Sequence, residues 1–361
     1  IVSRFLWTYS AAFRLLKDQT YLATAKKAYD YMMSCFYDTQ NGGMFWSVKF
    51  DGSPLVVRKQ IYGNAFALYA LSEYAAALEQ KEKGTGRAVM KAALDLFNLF
   101  EKYALDPIYG GYAEALAVDW KKTGETKLSE KDRDCDKSMN TNLHVMEAYT
   151  NLYRTLPLVF PDAAEERQKL ALSLKNLVGV HLHHILGKDY HLMLYFNRDW
   201  SPLGQQEVSY GHDIEASWLL WEASCELKDK DLLEEARPYV LNIADVALKE
   251  GLDKESGGFE NTCLNGVRDT DRIWWNQAEA VNGFYNAWQM SGESDYYFAT
   301  EKVWTWIMKF QRDKRQGEWF WNVSKEGKAN LSCEKGGNWK TSYHNGRCCM
   351  ELLRRSNIVA V

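Results

Sequence analysis

The sequence predicts an all-α fold, an (α/α)6 barrel built as a toroid of helical hairpins. Two observations carry that expectation. Apolar residues recur at the helical period through most of the 361 residues. Short glycine- and aromatic-rich segments interrupt them: "NGGMFWSVKFDG" at 41–52, "YGGYAEALAVDW" at 109–120, "KDYHLMLYFNRDW" at 188–200, "SGGFENTCLNG" at 256–266 and "QGEWFWNVSKEG" at 316–327. They return at intervals of roughly 60 to 80 residues, and a repeat that long means one supersecondary unit used several times.

The elements follow in order. Helices are expected near 3–17, 20–36, 60–80, 85–102, 138–155, 163–182, 212–227, 229–249, 274–290, 294–311 and 343–355. The stretch 20–36 keeps Lys26, Lys27 and Asp30 on one side for water, as an outer helix does. The stretch 60–80 is small and apolar nearly all round, as an inner helix buried on most sides must be. Each glycine-aromatic segment reads as a strand-like hairpin or extended loop that joins an outer helix to an inner one. Five such pairs follow the single helix at 3–17, whereas six pairs need twelve helices. The expectation is therefore a single domain, 1–361, lacking its first outer helix and in that sense N-terminally incomplete.

Bulk properties exclude several classes. With 46% apolar and 25% charged residues and a net charge of −4, the chain has no basic stripe for nucleic acid. No apolar run is long enough to span a bilayer. The seven cysteines show no C-x-x-C spacing, which suits a reduced, cytoplasmic chain. The chain opens at Ile1 without an initiator Met, which leaves the question of an upstream leader open. A monomer is expected, a dimer being the alternative.

In a toroid of this kind the inner helices begin on one rim. The residues there are Arg4; Tyr62 and Asn64; Asn140 and His144; His212 and Glu215; Trp275 and Glu279; and His344 with Arg347. Three of the seven histidines fall at these places, and the polar groups are expected to converge on one cavity. Taken singly, His212 could cap a helix and Glu215 could merely favour its first turn. The coincidence across repeats favours a site. Trp218, Trp275 and Trp339 are kept as substrate-facing residues, and Trp221 and Trp274 as core. The histidines of "HLHHILGKDYH" (181–191) fit no metal-ligand spacing and show no carboxylate partner, so they read as loop residues. "KGTGRAV" (83–89) lacks the strand and the G-K-[ST] end of a phosphate loop and reads as a connector. Neither a metal nor a cofactor is expected.

Four segments carry a resemblance. "SYGHDIEASWLL", "WWNQAEAVNGF", "MNTNLHVMEAYTNLYR" and "WKTSYHNGR", in that family's order along the chain, resemble the cellobiose 2-epimerases of the N-acylglucosamine 2-epimerase superfamily, and the likeness runs from Ser3 to about Arg354. It implies an (α/α)6 barrel that epimerises the reducing-end glucose of β-1,4 disaccharides at C2, without a cofactor, through ring opening and a cis-enediolate. Carried over by motif, His212 and His344 are the acid/base pair, His144 a third active-site histidine and Arg4 the arginine of the site. Glu215 and Glu279 support the histidines, and Tyr62, Asn140, Trp275 and Trp339 contact the sugar. Asn64 and Trp218 join them as rim residues. The chain departs from the family pattern at Thr341–Ser342, usually Cys-Pro, and at Asn142, often His.

The chemistry suits the residues. Inverting C2 of an aldose means removing a proton beside the open-chain carbonyl and returning one on the opposite face. Histidine, with an ordinary pKa of about 6.5, exchanges protons near neutral pH. A fixed cation such as Arg4 can stabilise the enediolate oxygen. Three rival readings stay open at this point: a mannose isomerase or monosaccharide 2-epimerase, a glycoside hydrolase on the same toroid using Glu215 and Glu279, and a sugar-binding barrel without catalysis.

Overall fold

The computed structural model describes residues 1–130, 132–204 and 207–356. These contain eleven helices. They fall into two compact units, one of residues 2–185 with 194–204, the other of 186–193 with the described part of 205–361.

The first unit holds α1 (Val2–Leu16), α2 (Gln19–Tyr31), α3 (Ile61–Lys81), α4 (Arg87–Leu99), α5 (Met139–Val159) and α6 (Ala164–Val180). Helix α3 packs against α1, α4 and α5. Its sequence explains why: Ala, Leu, Phe and Tyr occupy every side, and almost all of it is buried. Helix α4 is amphipathic instead, burying Val89, Met90, Ala93, Leu96 and Phe97 while Lys91 and Asp95 pair in water. Side chains fix two starts: Asp18 caps α2 by accepting from Thr20 N–H, and Ser138 caps α5 by accepting from Thr141 N–H. Such caps contribute typically about 1 kcal/mol each.

The second unit holds α7 (Tyr210–Leu227), α8 (Lys230–Val246), α9 (Trp274–Ser291), α10 (Ser294–Trp306) and α11 (Tyr343–Arg355). Helix α9 packs on α7, α8, α10 and α11. Close approach of α7 and α9 depends on Gly283, where an added Cβ would lie 2.7 Å from the Ile214 carbonyl oxygen.

Three features refine the expected repeat. The amphipathic helices α2, α4, α6, α8 and α10 each end in one π-helical turn, for example Met32–Phe36 and Phe100–Ala104. The residues just before a buried helix pair with the loop of the following repeat. Thus Lys59–Gln60 pairs antiparallel with Ala115–Leu116, Lys137–Ser138 with Tyr195–Phe196, Glu207–Ser209 with Thr262–Leu264, and Arg272–Ile273 with Asn322–Val323. True hairpins occur within two loops, pairing Ser47–Val48 with Pro54–Val56 and Thr262–Leu264 with Val267–Asp269. These short ladders set where α3, α5, α7 and α9 begin.

Candidate active site

A repeated hydrogen-bond clamp puts the helix starts in register. Asn64 Oδ1 accepts from the Met44 N–H at 2.6 Å and its Nδ2 donates to the Met44 carbonyl at 3.1 Å. Asn142 grips Tyr112 the same way at 2.8 and 3.2 Å, and Gln277 grips Phe259 at 2.8 and 2.7 Å. In each case the gripped residue follows a pair of glycines. Asp213 and Asn345 hold the same place in α7 and α11. Counting one residue back from the clamp gives Gly63, Thr141, His212, Asn276 and His344. Two residues on stand Phe66, His144, Glu215, Glu279 and Arg347. The chemistry of the chain is thus concentrated at two positions of the repeat. His212 and His344 are equivalent to one another, whereas His144 is equivalent to the glutamates.

In the second unit these positions form one buried network. His344 Nδ1 lies 2.7 Å from Glu279 Oε1. Arg347 Nη2 donates to Glu215 Oε1 at 2.6 Å and to Glu279 Oε1 at 2.8 Å, and its Nη1 bonds the Tyr343 hydroxyl. The Trp218 indole N–H donates to the other Glu279 oxygen at 3.0 Å, and its ring stacks under the guanidinium. His212 is placed differently: its Nδ1 lies 2.7 Å from the Ser209 hydroxyl. Trp275 touches both imidazoles, with ring centroids 4.8 Å from His212 and 5.6 Å from His344. Glu215, Glu279 and His344 bring ligating atoms within 4.8 Å of one another. The positive charge that compensates them is the Arg347 guanidinium, which both carboxylates accept from. Trp339 is 40% exposed.

The first unit carries a second cluster. Arg4 donates to the Tyr62 hydroxyl and lies 4.3 Å from the Phe66 ring centre. His144 packs against Tyr62 and Phe66, its centroid 5.2 and 4.7 Å from theirs, and its Nδ1 lies 2.8 Å from Glu147 Oε2. Asn140, in the first turn of α5, has a buried Oδ1 with no hydrogen-bond partner among the described residues. The Asn64 amide is engaged with the Met44 and Gln60 backbone.

The histidine-rich segment 181–191 departs from its reading as loop. His181 is fully buried at the end of α6, with Nδ1 2.8 Å from the Leu177 carbonyl, and burial pushes its pKa down to about 4. His191 does have a carboxylate partner: Nδ1 lies 2.8 Å from Asp213 Oδ2, and Nε2 lies 3.3 Å from Glu250. The pairing was invisible in sequence because His191 and Asp213 stand 22 positions apart and the chain between them carries no motif for it. Sequence reasoning placed Arg347 on the rim without giving it a role, and it missed Ser209 and Glu147. The latter two stand three residues before His212 and after His144, a helical spacing that could have flagged them.

Comparison with known proteins gives the family and the fold. The profile of the N-acylglucosamine 2-epimerase (GlcNAc 2-epimerase) family matches residues 1–348. The cellobiose 2-epimerase of Bacteroides fragilis is 43% identical over 353 residues, 97% of this chain and 86% of that protein. The structure of cellobiose 2-epimerase from Spirochaeta thermophila superimposes with a TM-score of 0.89 at 37% identity, over 99% of this chain and 86% of that one. That of Bacillus thermoamylovorans gives 0.88 at 34% identity, over 98% and 87%. The all-α, (α/α)6 fold class expected from the repeat is the fold of these structures. A carbohydrate epimerase fold, a relative 43% identical over nearly the full length and a profile match over residues 1–348 leave one placement: this chain belongs to the N-acylglucosamine 2-epimerase family.

Proposed function

We propose that the chain epimerises the reducing-end glucose of β-1,4-linked disaccharides at C2, turning cellobiose into glucosyl-mannose and lactose into epilactose. The reaction runs through the opened ring and a cis-enediolate, with His212 and His344 as the proton-transfer pair and no cofactor. One observation supports this reading most directly. Two imidazoles occupy the same repeat position, lie against the same indole, and have unlike partners on Nδ1. Glu279 is a carboxylate, so it stabilises the imidazolium form of His344. Ser209 brings a hydroxyl and no charge, so His212 is assigned the neutral imidazole that accepts the proton. In the glucose-to-mannose direction His212 takes the C2 proton and His344 returns one to the other face; in reverse the roles exchange. Nδ1 is engaged by Glu279 in one ring and by Ser209 in the other, and Nε2 is the nitrogen assigned to the sugar. Arg4, held by Tyr62 and Phe66, is assigned the developing oxyanion, and His144, oriented by Glu147, a hydrogen bond to substrate.

The hydrolase reading has less support. Both carboxylates it would use are engaged by Arg347, and a carboxylate bound to a guanidinium is a poor proton donor. The test is substitution of each histidine. His212→Asn and His344→Asn should each lower kcat on cellobiose by at least about 10²-fold, since general acid–base groups typically contribute 10²–10⁴-fold. Full turnover by either variant would remove it from the mechanism.

A further inference from the structure

The five clamps are not all alike, and the exceptions coincide with His212 and His344. In the loops facing α3, α5 and α9 the residue before the gripped one is Gly43, Gly111 or Gly258. A Cβ there would meet Trp120 at 2.6 Å, Trp200 at 2.3 Å or Arg272 at 2.5 Å, so the space is closed to a side chain. In the loops facing α7 and α11 the same place is filled by His191 and Glu318. Each reaches the residue that follows a rim histidine. His191 Nδ1 meets Asp213, and Asn345 Nδ2 donates to Glu318 Oε1 at 2.8 Å.

The clamps themselves change to match. Asp213 still accepts from the Leu192 N–H at 2.9 Å, but a carboxylate has no donor for the carbonyl, and its second oxygen goes to His191 instead. Asn345 directs its Nδ2 to Glu318, while its buried Oδ1 has no hydrogen-bond partner among the described residues. Glu318 also keeps φ at 62°, a left-handed conformation that glycine would adopt without strain, and it takes the ammonium of buried Lys340 at 2.8 Å. His191 is seated between Asp213 and Glu250, with Tyr210 beside its ring. In three repeats the backbone is gripped at both its N–H and its carbonyl and glycine is enforced; in the two repeats where a histidine immediately precedes the clamp residue, a side chain takes over part or all of that grip, and at Glu318 strain is tolerated.

We propose that His191 and Glu318 are positioning residues, which set the rings of His212 and His344 by holding the next residue of each helix. The clamp residue is bonded to the histidine through one peptide unit, so moving it turns the first helical turn and the ring on it. A misplacement of about 1 Å at a reacting group costs on the order of 10²-fold in rate, so even partial loosening should be visible in kcat. The proposal rests on the reading that these two histidines transfer protons.

The variants restore what the other repeats use. Glu318→Gly supplies glycine at a left-handed position, and the double variant His191→Gly/Asp213→Asn rebuilds the glycine and amide of α3 and α5. Glu318→Gln keeps an acceptor for Asn345 and serves as the conservative rescue. Epimerisation of cellobiose by the whole chain should show kcat lowered roughly tenfold or more in the first two, with KM within about twofold, and kcat restored to within about threefold in Glu318→Gln. Wild-type kcat in both glycine variants would overturn the proposal, as would loss of folding in them, which would mark the side chains as stability elements. His212→Asn and His344→Asn are measured alongside. If those two are active the proton-transfer reading fails; if they are dead while the glycine variants run at full rate, only the positioning role fails.

Discussion

Arg347 is fully buried, and two buried carboxylates depend on it. Glu215 and Glu279 both accept from its Nη2, and Glu279 in turn orients His344. Removing one member of such a network leaves charge uncompensated in a poorly solvated place, at a cost of about 3–5 kcal/mol. Arg347→Met is therefore expected to lower the unfolding free energy by that order in urea denaturation, beyond any loss of activity; an unchanged midpoint would contradict the network. Another buried carboxyl gives a pH signature. Burial, partly offset by the Ser138 hydroxyl at 2.5 Å, pushes Glu114 from 4.5 up to about 7. Between those values the folded chain holds a proton that the unfolded chain has released. Its contribution to stability is full below the unfolded value and is lost as pH rises through the folded one. Glu114→Gln should abolish that slope. Relative to wild type, the variant should gain on the order of 2 kcal/mol between pH 5 and pH 8, read from melting or denaturant midpoints; a pH-independent difference would show Glu114 ionised throughout.

At the scale of elements, one tight constraint lies where α7 meets α9. A Cβ at position 283 would stand 2.5 Å from Ile214 Cγ1 and 2.7 Å from its carbonyl oxygen. A side chain can rotate away but a helix backbone cannot, so Gly283→Ala must push the helices apart. Overpacking of this kind costs typically 1–3 kcal/mol, and differential scanning calorimetry should show a correspondingly lowered Tm; an unshifted Tm would mean the helices part freely. The helices themselves were legible in the sequence. Their apolar period placed all eleven within a few residues, although α7 starts at Tyr210 rather than 212, so that His212 lies inside its first turn. The π turns were not legible, because "MMSCF" and "FEKYA" continue the pattern of the helices they end. Nor were the strand pairs, since Lys59–Gln60 meets Ala115–Leu116 across a repeat and two residues carry no period. The residues of the site stood out as rare ionisable types at helix starts. Their partners did not, because contacts such as Arg347 to Glu215 span 132 residues and only the packed helices bring them together.

The whole molecule bears on what reaction is carried, because each rival leaves a different product. None of the described helices is long and apolar enough to cross a membrane, and the net charge of −4 offers no field for a polyanion. A small uncharged sugar is consistent with both. Hydrolysis would cleave a disaccharide, whereas C2 epimerisation leaves its mass unchanged in ordinary water. An isomerase acting on free mannose would turn over monosaccharides at least as well as cellobiose; the proposed reading expects cellobiose to be turned over faster than either glucose or mannose. Deuterium tests the chemistry itself. A proton taken by His212 sits on a ring nitrogen, and imidazole protons exchange with water. The proton that His344 returns comes from its own ring and hence from solvent. In D2O the epimer should therefore carry one deuterium at C2, read as a one-dalton increase by mass spectrometry and as loss of the C2 proton signal by NMR. The substrate recovered early in the reaction should be labelled less, since label enters it only on reversal at the same histidine. Epimer without label at C2 would rule out exchange at two histidines and point to a transfer shielded from water.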